Sequence, residues 1–338
     1  MGKVVRVGLN GFGRIGRCFT RIACDNSNIE IAAVNTSRST PEILSYLLRY
    51  DSIYRTFEKN IAHASTSITI DNKSITCFNY KNPQDIPWHT QDVDVVVDCT
   101  GVFETRQELA KHIGASVKKV VLTSPSNDKT IPHIVLGVND KDFPFEKADI
   151  ISNASCTTNC AAIMFKVLHD SFTIKSGYIT TIHSYTSSQQ LLDNSGHDFT
   201  RSRAAPLSII PSTTGAADAI VRVIPKLEGL IDGTSIRVPV PVVSYSDISC
   251  IVEKNPTTDQ INQSFKNRAE GDLHRYLAYE DEQLVSSDYI GSPYSCIFDA
   301  NYTAVMPNNL MKIFGWYDNE WGYSSRLVDL VEKLADFV

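Results

Sequence analysis

Short apolar runs rich in β-branched residues alternate with segments of helical spacing in the first half of the chain. The predicted strands cover residues 3–9, 29–35, 93–97, 120–123 and 133–138, and the predicted helices cover 14–24, 41–50 and 107–113. Strands that are apolar on both faces and alternate with helices are typical of a parallel sheet covered on both sides. We therefore expect an α/β architecture that begins with a Rossmann-type doubly wound domain over residues 1–155.

The pattern changes after about residue 150. Longer strand-like segments at 176–184, 235–245 and 311–317 indicate an α+β domain over residues 156–319 with a large, mostly antiparallel sheet. Residues 189–214 are rich in Ser, Arg and Pro and predict a long ordered loop, a kind of segment that is usually functional. The helical spacing near the C-terminus predicts a helix over 320–338 that packs back on the first domain.

Charge and cysteine content narrow the class of protein. The 338 residues carry a net charge of −6 without a basic run, which argues against nucleic acid or a membrane surface as the main partner. No apolar stretch is long enough to cross a membrane, and no secretory signal is evident. The eight cysteines lack zinc spacing, so we expect free thiols, no metal site and a cytoplasmic protein.

A glycine motif follows the first predicted strand and opens the first predicted helix. Gly11 permits a tight turn, Gly13 allows close approach of a pyrophosphate, and Gly16 lets the helix lie close to the strand. The free N–H groups at the helix start would bind the phosphates. The alternative is that the three glycines only form a turn; their position after a strand favours dinucleotide binding.

The end of the second predicted strand bears on the choice between NAD and NADP. A carboxylate usually holds the ribose 2′-OH of NAD there, whereas this chain has Asn35, Thr36, Ser37 and Arg38. Two hydroxyls and a guanidinium suit a 2′-phosphate, so we hypothesise that NADP is accepted or preferred. In the alternative, Asn35 or Thr36 holds the 2′-OH of NAD and Arg38 is a solvated surface charge.

A candidate nucleophile and base lie in the second half of the chain. Cys156 stands at a predicted helix N-terminus, where the helix dipole stabilises a thiolate; the alternative is a small buried thiol. Cys160, one helical turn further on, is interpreted as structural. His183 ends a predicted strand and is a candidate general base, although a lone histidine is more often structural.

The segment Ser155-Cys156-Thr157-Thr158-Asn159-Cys160 resembles the phosphorylating glyceraldehyde-3-phosphate dehydrogenases, and the likeness runs nearly from end to end. The further motifs that carry it are 10–16 (NGFGRIG), 50–52 (YDS), 100–101 (TG), 203–205 (RAA), 209–211 (IIP), 214–217 (TGAA), 237–239 (RVP) and 316–320 (WYDNE).

The resemblance implies that Cys156 forms a hemithioacetal with glyceraldehyde 3-phosphate and that His183 takes its proton as hydride passes to NAD or NADP. Inorganic phosphate then attacks the thioester to give 1,3-bisphosphoglycerate, a reversible step of glycolysis and gluconeogenesis. It also implies a homotetramer in which the loop 189–214, the S-loop, packs against a neighbour's cofactor site.

The same resemblance assigns the binding residues. The substrate phosphate is assigned to Thr186 and Arg237, and inorganic phosphate to Ser155, Thr157, Arg201, Thr214 and Gly215. The cofactor is assigned to Asn10, Gly11, Gly13, Arg14, Ile15, Gly16, Asn35, Thr36, Ser37, Arg38, Thr100, Gly101, Thr123, Asn319 and Tyr323, of which Asn319 orients the nicotinamide carboxamide and Tyr323 lies beside its ring.

Three positions depart from common family patterns. Ser188 stands where many bacterial members carry Asp, Thr36 replaces the usual ribose-binding Asp, and Asn194-Ser195 replaces the Leu-Pro of strict NAD enzymes. Thr36 and Ser195 both favour NADP. Two other activities stay open as alternatives: erythrose-4-phosphate dehydrogenase, which would hydrolyse the thioester, and a non-catalytic scaffold or surface-binding protein. The six-residue cysteine motif argues against an aspartate-semialdehyde dehydrogenase.

Overall fold

The computed structural model describes residues 3–196 and 198–338, so residue 197 of the S-loop lies outside the described residues. The chain divides into two compact units. The first unit comprises the chain up to Ile134, Asp142–Ala154 and Ser324–Val338, and the second comprises Val135–Lys141 and Ser155–Tyr323. Within the described residues, no helix combines the length and apolar character needed to cross a membrane.

The first unit is built on an eight-stranded sheet with helices, an architecture of the α/β type. Its strands are β1 (Val5–Asn10), β2 (Ile29–Asn35), β5 (Ile61–His63), β6 (Ser67–Ile70), β7 (Lys73–Phe78), β8 (Val95–Asp98), β9 (Lys119–Leu122) and β10 (Ile150–Ser152), and a separate pair is formed by β3 (Tyr50–Asp51) and β4 (Arg55–Thr56). Its helices are α1 (Arg14–Ala23), α2 (Pro41–Arg49) and α3 (Arg106–Leu109).

The strand order is β10-β9-β8-β1-β2-β7-β6-β5, with parallel pairing from β10 to β7. Successive strands move to one side of β1 and then to the other, which makes the carboxyl ends of β1 and β8 a topological switch point, where open α/β sheets bind ligands. This confirms the predicted doubly wound sheet. The antiparallel extension formed by β5 and β6 was not predicted.

The sequence explains where the helices of this unit begin. Helix α2 has Pro41 in its first turn, where the missing N–H costs nothing, and the Thr40 hydroxyl accepts from the Ile43 N–H at 3.4 Å. A capping box starts α3, because Thr105 and Glu108 each bond to the other's backbone N–H. Both helices therefore begin where the local polar residues predict.

The second unit contains a seven-stranded mixed sheet with helices on it. Its strands are β11 (Ile174–Ser184), β12 (Ile210–Ser212), β13 (Ile231–Val238), β14 (Ser244–Val252), β15 (Leu277–Glu280), β16 (Cys296–Val305) and β17 (Leu310–Tyr317), in the order β12-β13-β11-β14-β17-β16-β15. The helices that begin in this unit are α4 (Cys156–Phe172), α5 (Ala216–Val223), α6 (Thr258–Glu270) and α7 (Trp321–Lys333). Four of the six pairings are antiparallel, as the pattern predicts.

Two predicted strands are wrong in detail. Residues 133–138 form only an isolated bridge at His133, because Gly137 adopts a φ of 83° and the Asn139 side chain bonds to the Val135 N–H at 2.9 Å. A turn therefore replaces the strand. The predicted strand 235–245 is divided between β13 and β14, since Pro239 and Pro241 cannot donate to a sheet ladder.

The assignment of two short segments follows from tertiary packing. Residues 135–141 belong to the second unit, where a side chain at Gly137 would lie 2.6 Å from the ring of Tyr276. Residues from Ser324 onward belong to the first unit, where Glu332 accepts from Asn28 at 2.7 Å. Neither contact can be read from local spacing.

Candidate active site

Cys156 is the first residue of α4, as the sequence predicts. The Ser155 hydroxyl caps the helix by accepting from the Thr158 N–H at 3.0 Å, and it also lies 2.7 Å from the Thr158 hydroxyl. Twelve residues of α4 are buried, which fixes the helix against the sheet. The thiol is therefore held at a rigid helix N-terminus, where backbone N–H groups and the helix dipole favour negative charge.

The structure brings Cys156 and His183 together. His183 is the next-to-last residue of β11, and its Nε2 lies 3.4 Å from the Cys156 sulfur. Only 5% of the histidine is exposed. An imidazole nitrogen at this distance can exchange a proton with the sulfur or with a group bound to it.

Burial shifts the pKa values of both groups of this pair. Burial and the nearby positive charge of Arg237 lower the pKa of His183 to about 3. Burial raises the pKa of Cys156 to about 11, although Arg237 and hydrogen bonds at the helix start oppose the rise. Loss of solvation raises the pKa of the thiol, whereas the helix start and Arg237 act in the opposite direction, as the sequence predicts for this position.

Arg237 stands beside His183 because β13 runs parallel to β11 with these two residues in register. Its Nη1 lies 2.6 Å from His183 Nδ1 and donates to the Ser184 carbonyl at 3.1 Å. Its Nε is buried without a hydrogen-bond partner among the described residues. Part of the guanidinium is thus still able to bind an anion.

Tyr317, at the end of β17, links the elements that carry the nucleophile and the histidine. Its hydroxyl lies 2.9 Å from the hydroxyl of Thr157 and 2.9 Å from that of Thr181. Its ring meets the His183 ring edge to face, with centroids 6.1 Å apart. The Thr157 side chain is therefore engaged by Tyr317, which leaves the backbone of this residue for any anion.

The other predicted anion-binding residues of the second unit lie on loops and at a helix start. The Thr186 hydroxyl bonds to that of Ser188 at 2.8 Å, and Arg201 donates to the Ser212 hydroxyl through Nη2 at 2.6 Å. Thr214 accepts from the Ala216 N–H at 3.2 Å, and Gly215 caps α5. Arg201 is close enough for its charge to lower the pKa of His183.

Asn319 is buried at the end of the second sheet. Its Oδ1 accepts from the hydroxyls of Ser184, at 2.9 Å, and Ser244, at 3.1 Å. Its side-chain amide is therefore held by two serine donors, with the N–H₂ group on the opposite side. Tyr323, in the first turn of α7, is also buried.

The glycine motif of the first unit has the form that a dinucleotide requires. Gly11 has a φ of 97°, and a side chain there would lie 2.9 Å from the Cys99 carbonyl. A side chain at Gly16 would lie 2.7 Å from the Gly11 oxygen, whereas Gly13 has nothing within 4 Å. Close packing thus explains why positions 11 and 16 require glycine. The open space at Gly13, the N-cap of α1, fits an incoming phosphate.

A buried polar network lies under the carboxyl ends of β1, β2 and β8. Asn35 donates to Asn10 at 2.8 Å, and Asn10 donates to Asp98 at 2.8 Å. The Thr100 hydroxyl donates to the Asp98 carboxylate at 2.6 Å, and the Thr123 hydroxyl donates to the Asp98 backbone carbonyl at 2.9 Å. The side chains of Asn10 and Asn35 are therefore directed into the unit and are not available at its surface.

The remaining cofactor candidates lie nearer the surface of the first unit. Thr36 is half-buried just beyond the end of β2, and Ser37 and Arg38 are exposed. Arg14 is paired with Asp51, and Ile15 is half-buried in the first turn of α1. Gly101 follows Thr100 with a φ of 65°. No carboxylate occurs between residues 35 and 41.

Comparison with known proteins identifies the family. The C-terminal domain of glyceraldehyde 3-phosphate dehydrogenase matches residues 155–319, and the NAD binding domain of the same family matches residues 5–106. The chain belongs to the phosphorylating glyceraldehyde-3-phosphate dehydrogenase family. It is 48% identical over 327 residues to glyceraldehyde-3-phosphate dehydrogenase 2 of Streptomyces avermitilis, with 96% of this chain and 97% of that protein covered.

Further members of the glyceraldehyde-3-phosphate dehydrogenase family are similar over the whole chain. The chain is 46% identical to glyceraldehyde-3-phosphate dehydrogenase 2 of Nostoc, with 98% of this chain and 99% of that protein covered. It is 43% identical to glyceraldehyde-3-phosphate dehydrogenase 2 of Bacillus subtilis, with 98% and 97% covered. These matches extend over both units, so family membership is not limited to the NAD binding domain.

Several polar residues of this glyceraldehyde-3-phosphate dehydrogenase fold were missed by sequence reasoning. Tyr317 joins two threonines, Ser212 accepts from Arg201, and Ser184 and Ser244 hold Asn319. Tyr317 lies in a motif that carries the family resemblance, but nothing in its local sequence indicates which hydroxyls it meets. These contacts join residues that are 11 to 160 positions apart.

Proposed function

We propose that the protein oxidises D-glyceraldehyde 3-phosphate to 1,3-bisphosphoglycerate, using inorganic phosphate and a nicotinamide dinucleotide. The observation that carries this proposal is the 3.4 Å contact between the Cys156 sulfur and His183 Nε2 in a family member. The reaction is reversible and serves glycolysis or gluconeogenesis. The relatives are named as glyceraldehyde-3-phosphate dehydrogenases, so the erythrose 4-phosphate alternative is not favoured.

The first step is addition of sulfur to the aldehyde carbon. His183, whose Nε2 lies 3.4 Å from the sulfur, accepts the Cys156 proton as the carbon–sulfur bond forms. The proton then passes to the carbonyl oxygen, which gives a hemithioacetal and restores neutral His183. Arg237 lies close enough to Cys156 to stabilise negative charge on the sulfur.

The second step oxidises the hemithioacetal. His183 takes the hydroxyl proton as the carbon loses hydride, and the product is a thioester on Cys156. The nicotinamide dinucleotide, when bound, accepts that hydride. A phosphate oxygen then attacks the thioester carbon, the carbon–sulfur bond breaks, and the sulfur regains a proton from His183.

Two anion sites would hold the phosphorylated substrate and inorganic phosphate. We assign the substrate phosphate to Thr186 and Arg237, since the Nε of Arg237 is buried without a partner among the described residues. We assign inorganic phosphate to Arg201, Thr214 and Gly215, together with the backbone at Ser155 and Thr157. The start of α5 at Gly215 supplies backbone N–H groups for this second site.

The first unit would hold the dinucleotide at the carboxyl ends of its strands. We assign its phosphates to the turn around Gly13 and Arg14, and its ribose to Thr36, Ser37 and Arg38. NADP use is supported by exposed Ser37 and Arg38 and by the missing carboxylate at this strand end. Asn319, held by two serine hydroxyls, would orient the nicotinamide carboxamide.

We also propose a homotetramer assembled through the S-loop and located in the cytoplasm. Five large apolar side chains between residues 191 and 209 are 71 to 89% exposed: Leu191, Leu192, Phe199, Leu207 and Ile209. A concentration of exposed apolar side chains marks an interaction surface. Substituting Ser for Phe199 and Leu192 together should lower the mass measured by light scattering.

Steady-state assays test the proposed reaction. We expect reduction of cofactor with glyceraldehyde 3-phosphate to need inorganic phosphate, and Cys156→Ser to abolish it. Turnover of erythrose 4-phosphate that is faster and indifferent to phosphate would contradict the proposal in favour of the hydrolytic enzyme. A Cys156→Ser variant that keeps every cellular role of the protein would favour a scaffold.

A further inference from the structure

His112 is a buried histidine of the first unit that the proposed reaction does not use. It is the last residue of the 3₁₀ turn Ala110–His112, which follows α3. Its Nε2 lies 3.2 Å from a carboxylate oxygen of Asp98, and both side chains are fully buried. Because water does not reach this carboxylate, its oxygens depend on hydrogen-bond donors of the protein.

Trp88 decides which ring nitrogen of His112 carries the proton. The indole Nε1–H can only donate, and it lies 3.2 Å from His112 Nδ1. Nδ1 therefore keeps its lone pair, and the single proton of the neutral imidazole lies on Nε2. This tautomer donates to the Asp98 carboxylate, so one arrangement satisfies both contacts of the ring. The Asn10 amide nitrogen lies 3.4 Å from Nε2 because it donates to the same carboxylate oxygen.

The indole of Trp88 is held in place by its own packing. It is buried, and its ring meets the Phe78 ring edge to face, with centroids 5.9 Å apart. It also lies so close to β1 that a side chain at Gly8 would come within 2.7 Å of the ring. The indole N–H therefore stays directed at His112, and the tautomer is fixed by the core.

The Asp98 carboxylate joins the two turns that we assign to the dinucleotide. One oxygen accepts from the Asn10 amide at 2.8 Å, directly before the turn at Gly11. The other accepts from the hydroxyl and the backbone N–H of Thr100, at 2.6 and 3.1 Å, and shapes the turn that leads into Gly101. These turns follow the adjacent parallel strands β1 and β8. The orientation of one carboxylate therefore sets the shape of both turns.

We propose that His112 is a positioning residue for the dinucleotide and that it acts through Asp98. Its Nε2–H, fixed by Trp88, holds the carboxylate in the orientation that presents both turns to the cofactor. The ring is fully buried, so it acts without touching the cofactor or the reacting atoms. This inference rests on the proposed binding of the dinucleotide at the turns around Gly13 and Gly101.

The consequence is an effect on cofactor binding that leaves the chemical step unchanged. Without the Nε2–H, the buried carboxylate of Asp98 is one donor short and is no longer held in one orientation. The dinucleotide must then order both turns as it binds, and this ordering lowers its affinity. Cys156 and His183 belong to the second unit and keep their contact in the loaded enzyme.

Steady-state kinetics and calorimetry of His112→Leu test the proposal. The calorimetric probe is ADP-ribose, which carries the pyrophosphate but no nicotinamide. We expect the KM for NAD and for NADP and the Kd of ADP-ribose to rise about 10- to 100-fold, the range of a hydrogen bond to a charged group. We expect kcat at saturating cofactor to stay unchanged, because the lost interaction is equal in the ground state and the transition state.

Two further variants separate the N–H donor from the volume of the ring. His112→Gln offers an N–H₂ donor to Asp98 and a carbonyl acceptor to Trp88, so it should restore most of the affinity. Trp88→Phe keeps an aromatic ring but frees the imidazole proton to move to Nδ1, so it should weaken dinucleotide binding. Wild-type affinity in His112→Leu, or a His112→Gln protein as weak as His112→Leu, would overturn the proposal.

Lys119→Met is the matched control for lost stability. Lys119 is a buried donor of the same unit, and its Nζ donates to the carbonyls of Phe145 and Ala148, at 2.8 and 2.7 Å, at the amino end of β9. This variant should unfold at a lower urea concentration, as His112→Leu does, but keep the wild-type KM for the cofactor. A KM raised as much as in His112→Leu would show that general destabilisation weakens binding, which would contradict a specific role of His112.

The two possible failures are distinguishable, because Gly13→Ala tests the dinucleotide site independently. If Gly13→Ala weakens ADP-ribose binding and His112→Leu does not, the role of His112 is wrong and the dinucleotide site stands. If neither substitution changes the Kd of ADP-ribose, the assignment of the dinucleotide to these turns is wrong as well.

Discussion

Thr157 and Thr181 share one hydrogen-bonding partner although they lie on different elements, α4 and β11. Both hydroxyls are 2.9 Å from the Tyr317 hydroxyl, and all three side chains are buried. Thr157 directly follows the candidate nucleophile, and Thr181 precedes the candidate base by two residues. The shared contact therefore fixes the helix start relative to the strand that carries the histidine.

The first prediction concerns this shared hydroxyl. Tyr317→Phe keeps the ring but leaves two buried threonine hydroxyls without their common partner, which should lower the free energy of unfolding by about 1–3 kcal/mol. We expect kcat to fall more than KM rises, because the nucleophile and base lose their alignment. Urea unfolding and steady-state kinetics measure the two effects.

Tyr178→Phe is the control for this change, since Tyr178 lies on the same strand as Thr181 but is 45% exposed. It should leave both stability and turnover near wild type. Equal effects of the two substitutions would show that the Tyr317 hydroxyl has no special role.

The second prediction separates two glycines of the phosphate-binding turn. Gly16→Ala places a methyl group 2.7 Å from the Gly11 oxygen, and we expect a destabilisation of about 1–3 kcal/mol despite the better helix propensity of alanine. Gly13→Ala meets nothing within 4 Å, so its unfolding midpoint should not change. Its affinity for the dinucleotide should nevertheless fall at least about tenfold, or about 1.4 kcal/mol.

Urea unfolding and a fluorescence titration with cofactor measure both properties of each glycine variant. Undiminished dinucleotide affinity in Gly13→Ala would mean that the pyrophosphate binds elsewhere.

The third prediction concerns the choice of cofactor. Arg38→Gln should lower kcat/KM with NADP about 10- to 100-fold, the range of a hydrogen bond between charged groups, and leave NAD unaffected. Thr36→Asp should also lower kcat/KM with NADP relative to NAD, because the new carboxylate repels a 2′-phosphate and accepts a hydrogen bond from a 2′-OH. The ratio of kcat/KM for the two cofactors is the measurement.

Lys118→Gln serves as the control for Arg38, because this exposed cation precedes β9 and so lies at the amino ends of the parallel strands, opposite the carboxyl end of β2. Strong preference of the wild-type enzyme for NAD would refute the NADP hypothesis outright.

The fourth prediction follows from the lowered pKa of His183. Between pH 6.5 and about 3 the unfolded chain binds a proton at this residue and the folded chain does not, so stability falls as the pH falls. From pH 7.5 to 5.0 this one group should remove about 2 kcal/mol. Urea unfolding at both pH values measures this effect. The free energy of unfolding of His183→Asn should fall by about 2 kcal/mol less than that of the wild type over the same pH range. An identical pH dependence in wild type and variant would contradict the buried neutral imidazole.

Sequence reasoning recovered the elements whose causes are local. Pro41 and the Ser155 hydroxyl mark helix starts, and the apolar runs mark the strands of the parallel sheet. It failed at residues 133–138, where Asn139 stabilises a turn, and at 235–245, where two prolines interrupt a strand. In both cases the apolar spacing suggested a strand. A side-chain hydrogen bond in the first case and the missing N–H groups of proline in the second prevented one.

For the candidate site, sequence named the residues but not their state. Cys156 and His183 could be proposed from a helix start and a family motif, whereas the shifts of their pKa values depend on burial and on the charge of Arg237, which lowers the pKa of both groups. Tyr317 gave no local signal, because its partners are 136 and 160 residues away.

The sequence by itself determined the alternation of strands and helices in the doubly wound domain, the glycine turn, the helix start at Cys156 and the family, since each of these is encoded in short runs of residues. Only the tertiary structure decided which side chain faces which. The parallel register of β13 beside β11 places Arg237 against His183, and burial then shifts the pKa values of the histidine and of Cys156. Desolvation and hydrogen bonds between distant residues arise only after the chain has folded, and no local spacing encodes them.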